Sequence, residues 1–354
     1  YKIRKIFAAY VHSHALNNID RRLIVSHVTG ERDPAPVFFD RDVQRLLKTL
    51  TRPDVERMFK RRKDGHRIQD PQYKFMTDTE LQRAFAIAER RGYKRLKMPP
   101  VLKKRTEIDV ILSKDPALQK NCRASFVFTD ITYGISDYER LIVVRQTDGT
   151  LRYANWDERH RLNQIYFPME GREINTPRMF QEEYLQDILN RHEYEFVLDR
   201  ACLQFEPNDP EYHRVTESVY SAVNKESHFD HLRSTRHFGP LVFHLAWTKN
   251  IDNLLLENIT TERLEDAVLA IKLYNKINID AKSAEIEHDG DDIKFIRSFI
   301  SLESSTQGKL EKALQSLIEL IEARESVAEG IKKAHEKPYP NDSEHTKYNI
   351  SHLN

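Results

Sequence analysis

Glycine is scarce in this chain, at 10 residues in 354. So little glycine argues against a glycine-rich nucleotide cradle and for long helices. Neither GxxxxGK[ST] nor GxGxxG occurs, so no phosphate cradle of either kind is expected. Cysteine is scarcer still, with Cys122 and Cys202 alone. One pair at that separation makes no disulfide framework, and no CxxC is present to hold zinc. A reducing compartment is the default, and each thiol reads as small apolar filler. No apolar run approaches the roughly 20 residues that span a bilayer, so no membrane span is expected. HExxH and GxSxG are missing. RRM, KH and zinc-finger signatures are missing too.

What the sequence does have is charge, sorted along its length. Lys and Arg number 56 against 55 Asp and Glu, a formal net of +1. That total conceals a split. Residues 1–110 carry 26 basic and 14 acidic side chains, a net of +12, and the remainder carry 30 and 41, a net of −11. Such asymmetry points to an anionic partner at the basic end, nucleic acid or a membrane surface. The plainer reading is a set of solvated helix faces. With 39% hydrophobic residues, 17 Phe and 15 Tyr, the chain can fill a core. Its length suits about two domains, or one large one.

The first 19 residues contain no acid and place Ile3, Phe7, Tyr10 and Val11 on one helical face. A basic, amphipathic, acid-free start has the character of a mitochondrial transit peptide. Glu31–Pro36 reads as a linker. Asp40 is placed to cap a helix through Val43, Leu46, Leu47 and Leu50, and a second helix is expected over Asp54–Lys63. Thr77 and Glu80 form a capping box ahead of Leu81, Ala84, Phe85 and Ala88, with Gly92 at the C′ position. Met98-Pro99-Pro100 demands a stiff extended connector. Ser125–Tyr133, Tyr138–Gln146 and Thr150–Ala154 read as strands of a three-stranded antiparallel meander, with Asp148-Gly149 as its hairpin turn. The unbroken run Leu141–Val144 suggests a central strand covered on both faces.

Helical signals dominate the rest. Asn155 with Glu158, Thr176-Pro177 and Asp209-Pro210 mark helix starts. Asp230–Thr248 is long and aromatic, with Gly239-Pro240 expected to split it. Thr261–Lys276 and about Lys309–Ile331 carry apolar stripes. Between them lies an acidic loop at 285–292. No fixed-period repeat is evident.

Candidates for chemistry are few. His228, His231 and His237 are the dense histidine group away from the N-terminus, but no Cys or carboxylate sits at ligand spacing, so they read as surface or interface residues. Paired acids such as Glu182-Glu183 point different ways on a helix. The basic segments are more specific. Residues 83–105 hold Arg83, Arg90, Arg91, Lys94, Arg95, Lys97, Lys103, Lys104 and Arg105 against Glu89 alone, a net of +8. Cations on both a helix end and an extended segment can follow a sugar-phosphate backbone. Arg57–Arg67, including Arg61, Arg62 and Lys63, is a weaker second cluster. Arg233-Ser-Thr-Arg236-His237 is a third, able to hold phosphate, to cap a partner or to form internal pairs. Any RNA contact would read shape and phosphate rather than sequence.

Six strings occur in order: Arg95-Leu-Lys-Met-Pro-Pro-Val-Leu102, Val127-Phe-Thr-Asp-Ile-Thr-Tyr133, Glu139-Arg-Leu-Ile-Val-Val-Arg145, Tyr166-Phe-Pro-Met-Glu-Gly-Arg172, Gln204-Phe-Glu-Pro207 and Leu232-Arg-Ser-Thr-Arg-His-Phe-Gly239. The series resembles the family of mitochondrial small-subunit ribosomal protein number twenty-two, over about residues 40–280. The resemblance implies a non-enzymatic structural subunit in the mitochondrial matrix. Its partners would be small-subunit rRNA and neighbouring ribosomal proteins. No small-molecule substrate, cofactor, metal or active site carries over.

The expected fold is mainly α, an irregular helical body with a small three-stranded antiparallel β meander and a basic N-terminal arm. The expected segments are a presequence at 1–22, a basic helical arm with its Pro-Pro connector at 23–120, the meander at 121–154, the helical body at 155–331 and a polar tail at 332–354. Two rival functions are a free mitochondrial RNA-binding regulator and an enzyme with an unrecognised metal site.

Overall fold

A computed structural model describes residues 32–58, 72–119, 123–137 and 139–336. The expected presequence, the cluster Arg61, Arg62 and Lys63, and residues 337–354 lie outside the described residues.

A short helix, α1 (Ala35–Phe38), leads into α2 (Arg41–Thr51). Asp40 caps α2, accepting from the N–H groups of Asp42 and Val43. Val43, Leu47 and Leu50 recur at helical spacing and are buried, the stripe that a core-facing helix requires. The helix ends at Arg52, in the left-handed conformation with φ 46°. After α3 (Val55–Met58) comes α4 (Asp78–Arg95). Its start is the expected capping box, with the Glu80 carboxylate accepting from the Thr77 N–H at 2.9 Å and hydroxyl at 3.0 Å. Gly92 does not terminate it. The helix continues to Arg95, and Gly92 is buried inside it.

The sheet has four strands rather than three: β1 (Ile111–Lys114), β2 (Phe126–Thr129), β3 (Ile142–Arg145) and β4 (Thr150–Tyr153). The order is β1-β4-β3-β2, antiparallel throughout. The expected meander is present, and β1 adds an edge strand to it. At the β3–β4 turn Gly149 takes φ 83°, and a Cβ there would stand 2.1 Å from the Asp115 carbonyl oxygen. Only glycine suits both the conformation and the close approach. β3 is central, but it is covered on one face only. Ile142 and Val144 are buried, while Val143 and Arg145 are half-buried and Leu141 is exposed. The covering helix is α5 (Trp156–Tyr166), whose Leu162 packs on Ile142, Val144 and Ala154.

The helical body continues through α6 (Glu182–Asn190), α7 (Tyr194–Gln204), α8 (Pro210–Glu226), α9 (Phe238–Trp247), α10 (Asp252–Thr260), α11 (Leu264–Ile277), α12 (Asp292–Glu303) and α13 (Gln307–Glu336). Asn155 and Asp209 cap α5 and α8 as expected. Thr176-Pro177 instead precedes a 3-10 turn, Arg178–Phe180, and α6 starts after it. The aromatic stretch is split, but ahead of Gly239-Pro240: both lie in the first turn of α9, where proline's missing N–H costs nothing. One contiguous core runs from Phe38 and Leu47 through Val219, Leu241, Leu255 and Ile271 to Leu314. Thus α2, from the basic front of the chain, packs against α9 and α11 in the centre of the body.

Candidate nucleic-acid interface

Four of the sequence-predicted cations share one side of α4. At 100° per residue, Arg83, Arg90 and Lys94 fall within about 40° of one another, with Arg91 about 60° further round. All four are exposed. None forms an ion pair with a described residue. Leu81, Ala84, Phe85, Ala88 and Gly92 occupy a different sector. Gly92 is buried and Ala84 and Ala88 are half-buried, so the small residues turn toward the protein and the cations toward solvent. Arg95 is half-buried beside them and has an internal partner.

The segment after α4 is extended, as Pro99-Pro100 requires, but it is not a free arm. Gly239 leaves space for Met98: a Cβ at Gly239 would stand 2.1 Å from the Met98 Sδ. Pro99 and Pro100 line a groove of about 500 Å³ with Pro207, Pro240 and Trp247. Further along, the Arg105 N–H donates to the Asn208 carbonyl at 2.8 Å. The Arg105 guanidinium meets the Asp209 carboxylate at 2.5 Å and lies over the Trp156 ring, 4.4 Å from its centroid. Trp156 Nε1 donates to the Thr106 carbonyl at 2.8 Å. Lys104 pairs with Glu217 at 3.4 Å. Lys97 and Lys103 remain exposed without an ion pair among the described residues. Arg105 therefore fastens the connector, and an incoming phosphate would have to displace Asp209.

The third cluster is internal, which corrects the expectation for Arg233 and Arg236. Arg233 is 4% exposed. Its guanidinium contacts Glu257 at 2.5 Å, Asp230 at 3.0 Å and Asp266 at 3.5 Å, and donates to Asn258 Oδ1 at 2.7 Å. A guanidinium this far from water is tolerable only when carboxylates surround it. Burial still pushes the Glu257 carboxyl above the usual carboxylate range. Asp266 also accepts from Arg52 Nε at 2.8 Å. The neighbouring Ser234 donates its N–H to the Thr51 carbonyl at 3.0 Å and its hydroxyl to the Arg52 carbonyl at 2.5 Å. The Arg233–Ser234 turn thus clasps the end of α2. Arg236 pairs with Asp199, whose same oxygen contacts His237 Nε2 at 2.9 Å.

The histidine trio is divided. His237 sits on Asp199, whereas the His228 ring lies 5.3 Å from that of His231 and 4.5 Å from that of His192. Tyr194 Oη lies 3.1 Å from Nδ1 of both His192 and His228. Among the described residues, no group of three His, Cys, Asp or Glu is arranged to hold a metal ion. Nor is any described helix long and apolar enough to cross a membrane.

Sequence reasoning missed the docking of the connector. Its only signal was the pairing of a small residue, Gly239, with Pro240 at a helix start.

Comparison with known proteins covers this whole region. The family profile of mitochondrial 28S ribosomal protein S22 matches residues 36–279, from α1 to just beyond α11. The chain is 36% identical over 305 residues to the small ribosomal subunit protein mS22 of Mus musculus, covering 85% of this chain and 84% of that one. It is 38% identical over 283 residues to the protein of the same name from Bos taurus, covering 79% and 78%.

Proposed function

This chain belongs to the mitochondrial 28S ribosomal protein S22 family, and from that premise we propose that it is a structural constituent of the small subunit of the mitochondrial ribosome. It works in the matrix, supports mitochondrial translation, and acts by holding position rather than by catalysis. Its partners are small-subunit rRNA and neighbouring ribosomal proteins.

The observation that carries the rRNA contact is the exposed basic side of α4: Arg83, Arg90, Arg91 and Lys94 stand together without ion pairs among the described residues. Lys97 and Lys103 extend that charge along the connector. Because Met98 and Arg105 fix the connector to the body, cations at this end are held in place rather than trailing on a tether. Preformed placement lowers the ordering cost of binding. The acidic body, with its single long core, is suited to basic protein neighbours.

The test is salt dependence. Arg83, Arg90, Arg91 and Lys94 are changed together to glutamine, which has similar helix propensity. Each phosphate contact contributes about 0.7–0.9 to the slope of log affinity against log salt. The quadruple variant should leave isolated small subunits at clearly lower KCl than the wild-type protein. Release at the same KCl concentration would remove this side of α4 from the interface.

A further inference from the structure

We propose that the uncovered face of the β-sheet is a stacking platform for unpaired nucleotides of RNA. The proposal rests on the reading that this chain contacts rRNA, but it concerns a different surface from α4.

The register places the residues. Phe128 pairs with Val143, and Val143 with Tyr153; Phe126 pairs with Arg145, and Arg145 with Leu151. Directly opposed residues in an antiparallel ladder point to the same side. These six therefore form two rows across β2, β3 and β4, on the side away from Leu162 and α5. Phe126 and Phe128 are 49% and 54% exposed, unusually open for rings on a sheet. Val143, Arg145, Leu151 and Tyr153 are half-buried. None of the six is acidic. Arg145 has no ion pair among the described residues, and Arg123, just ahead of β2, is exposed.

That composition selects the occupant. A protein packed here would have to bring its own carboxylate to the Arg145 guanidinium as well as an apolar surface for the rings, because none of the six residues is acidic. An unpaired base meets the rings through its π-face, and its phosphate supplies the anion that Arg145 has no internal group to provide. The dimensions agree. Four strands about 4.8 Å apart and four residues at about 3.3 Å each give a surface of about 14 by 13 Å. Four-stranded sheets that bind single-stranded RNA stack two or three bases on such an area. Duplex RNA cannot use the platform, because its bases are already stacked and its grooves expose edges. The aromatic face is encoded in the alternation Phe126, Phe128 on an edge strand, without an RNP signature.

The experiment is zero-length ultraviolet crosslinking of assembled small subunits, with the adducts mapped by mass spectrometry. It compares wild type with Phe126→Leu/Phe128→Leu. Leucine keeps the apolar area and the fold but removes the stacking surface. Single-nucleotide adducts are expected on the peptides containing Phe126, Phe128 or Tyr153, at unpaired rRNA positions, and their yield should fall at least about fivefold in the leucine variant, the effect of losing one stacked base. Adducts confined to α4 and the connector would overturn the platform and leave the rRNA contact standing. Protein–protein crosslinks on these peptides, or an unchanged yield in the leucine variant, would equally overturn it. Absence of rRNA adducts anywhere on the chain would overturn both readings.

Discussion

Replacing Arg105 with alanine should loosen the connector without unfolding the helical body. The Arg105 and Asp209 side chains are 13% and 16% exposed. Removing one partner of a fully buried pair costs about 3–5 kcal/mol. Solvent reaches this pair, and Asp209 keeps its hydrogen bond from the Glu211 N–H, so about 2 kcal/mol is the reasonable share. Loss of the cation–π contact with Trp156 adds about 1 kcal/mol. The sum, about 3 kcal/mol, corresponds to about a hundredfold in a local opening equilibrium. The readout is hydrogen exchange at the Arg105 amide, which is protected only through the Asn208 carbonyl, and over its extended neighbours. Exchange there should accelerate by about two orders of magnitude, with α9 and α11 unchanged. Lys103→Ala, at an exposed side chain two residues away, should leave exchange untouched and affect RNA affinity instead. If Arg105→Ala leaves exchange as in the wild type, the docking described above is wrong. If it unfolds α9 and α11 as well, the connector is part of the core rather than fastened to it.

Other perturbations probe the body. The Asp252 Oδ2 accepts from the Ser304 hydroxyl, the Ser305 and Thr306 N–H groups and both of their hydroxyls, at 2.8–3.1 Å, holding the start of α13. Asp252→Ala should cost about 3 kcal/mol, since bonds to a charged acceptor are worth about 1.5–3 each and water replaces the exposed ones; an unchanged urea midpoint would refute this. Gly239→Ala drives a methyl group into Met98 and should cost about 1–3 kcal/mol as overpacking. Met98→Ala in the same chain should relieve most of that strain, and strictly additive unfolding energies would contradict the contact. Burial lowers the titration points of His213 and His244 below the ordinary 6.5. The unfolded chain then takes up protons first as pH falls below about 6.5, so stability is full above that point and declines beneath it. Thermal unfolding at about pH 7.5 and about pH 5.5 should show the loss, and it should shrink in a His213→Gln/His244→Gln variant.

Local signals were legible wherever they act within a few residues. Asp40, Asn155 and Asp209 cap their helices because a side chain reaches N–H groups two or three positions on. Asp148-Gly149 makes its turn for similar reasons. β1 was not legible: all four of its residues are exposed, so no alternation marks it, and it exists through pairing with β4. The two-sided covering expected of β3 failed because an apolar run records hydrophobicity and not which neighbours arrive. The basic string at 233–237 was ambiguous in sequence. Its resolution depends on Glu257 and Asp266, which lie 24 and 33 residues further along. The contact between Met98 and Gly239 is further still from any local rule. The exposed cations of α4, with Lys97 and Lys103 beyond them, combine a local charge pattern with a lack of ion pairs among the described residues, and so stay available to a partner.

The most direct test of the central claim is sedimentation. Mitochondrial lysate is resolved on a sucrose gradient, and each fraction is probed for this chain and for small-subunit rRNA. The protein should follow that rRNA through the small-subunit and intact-ribosome fractions. A protein found with free soluble proteins, away from the rRNA, would contradict it.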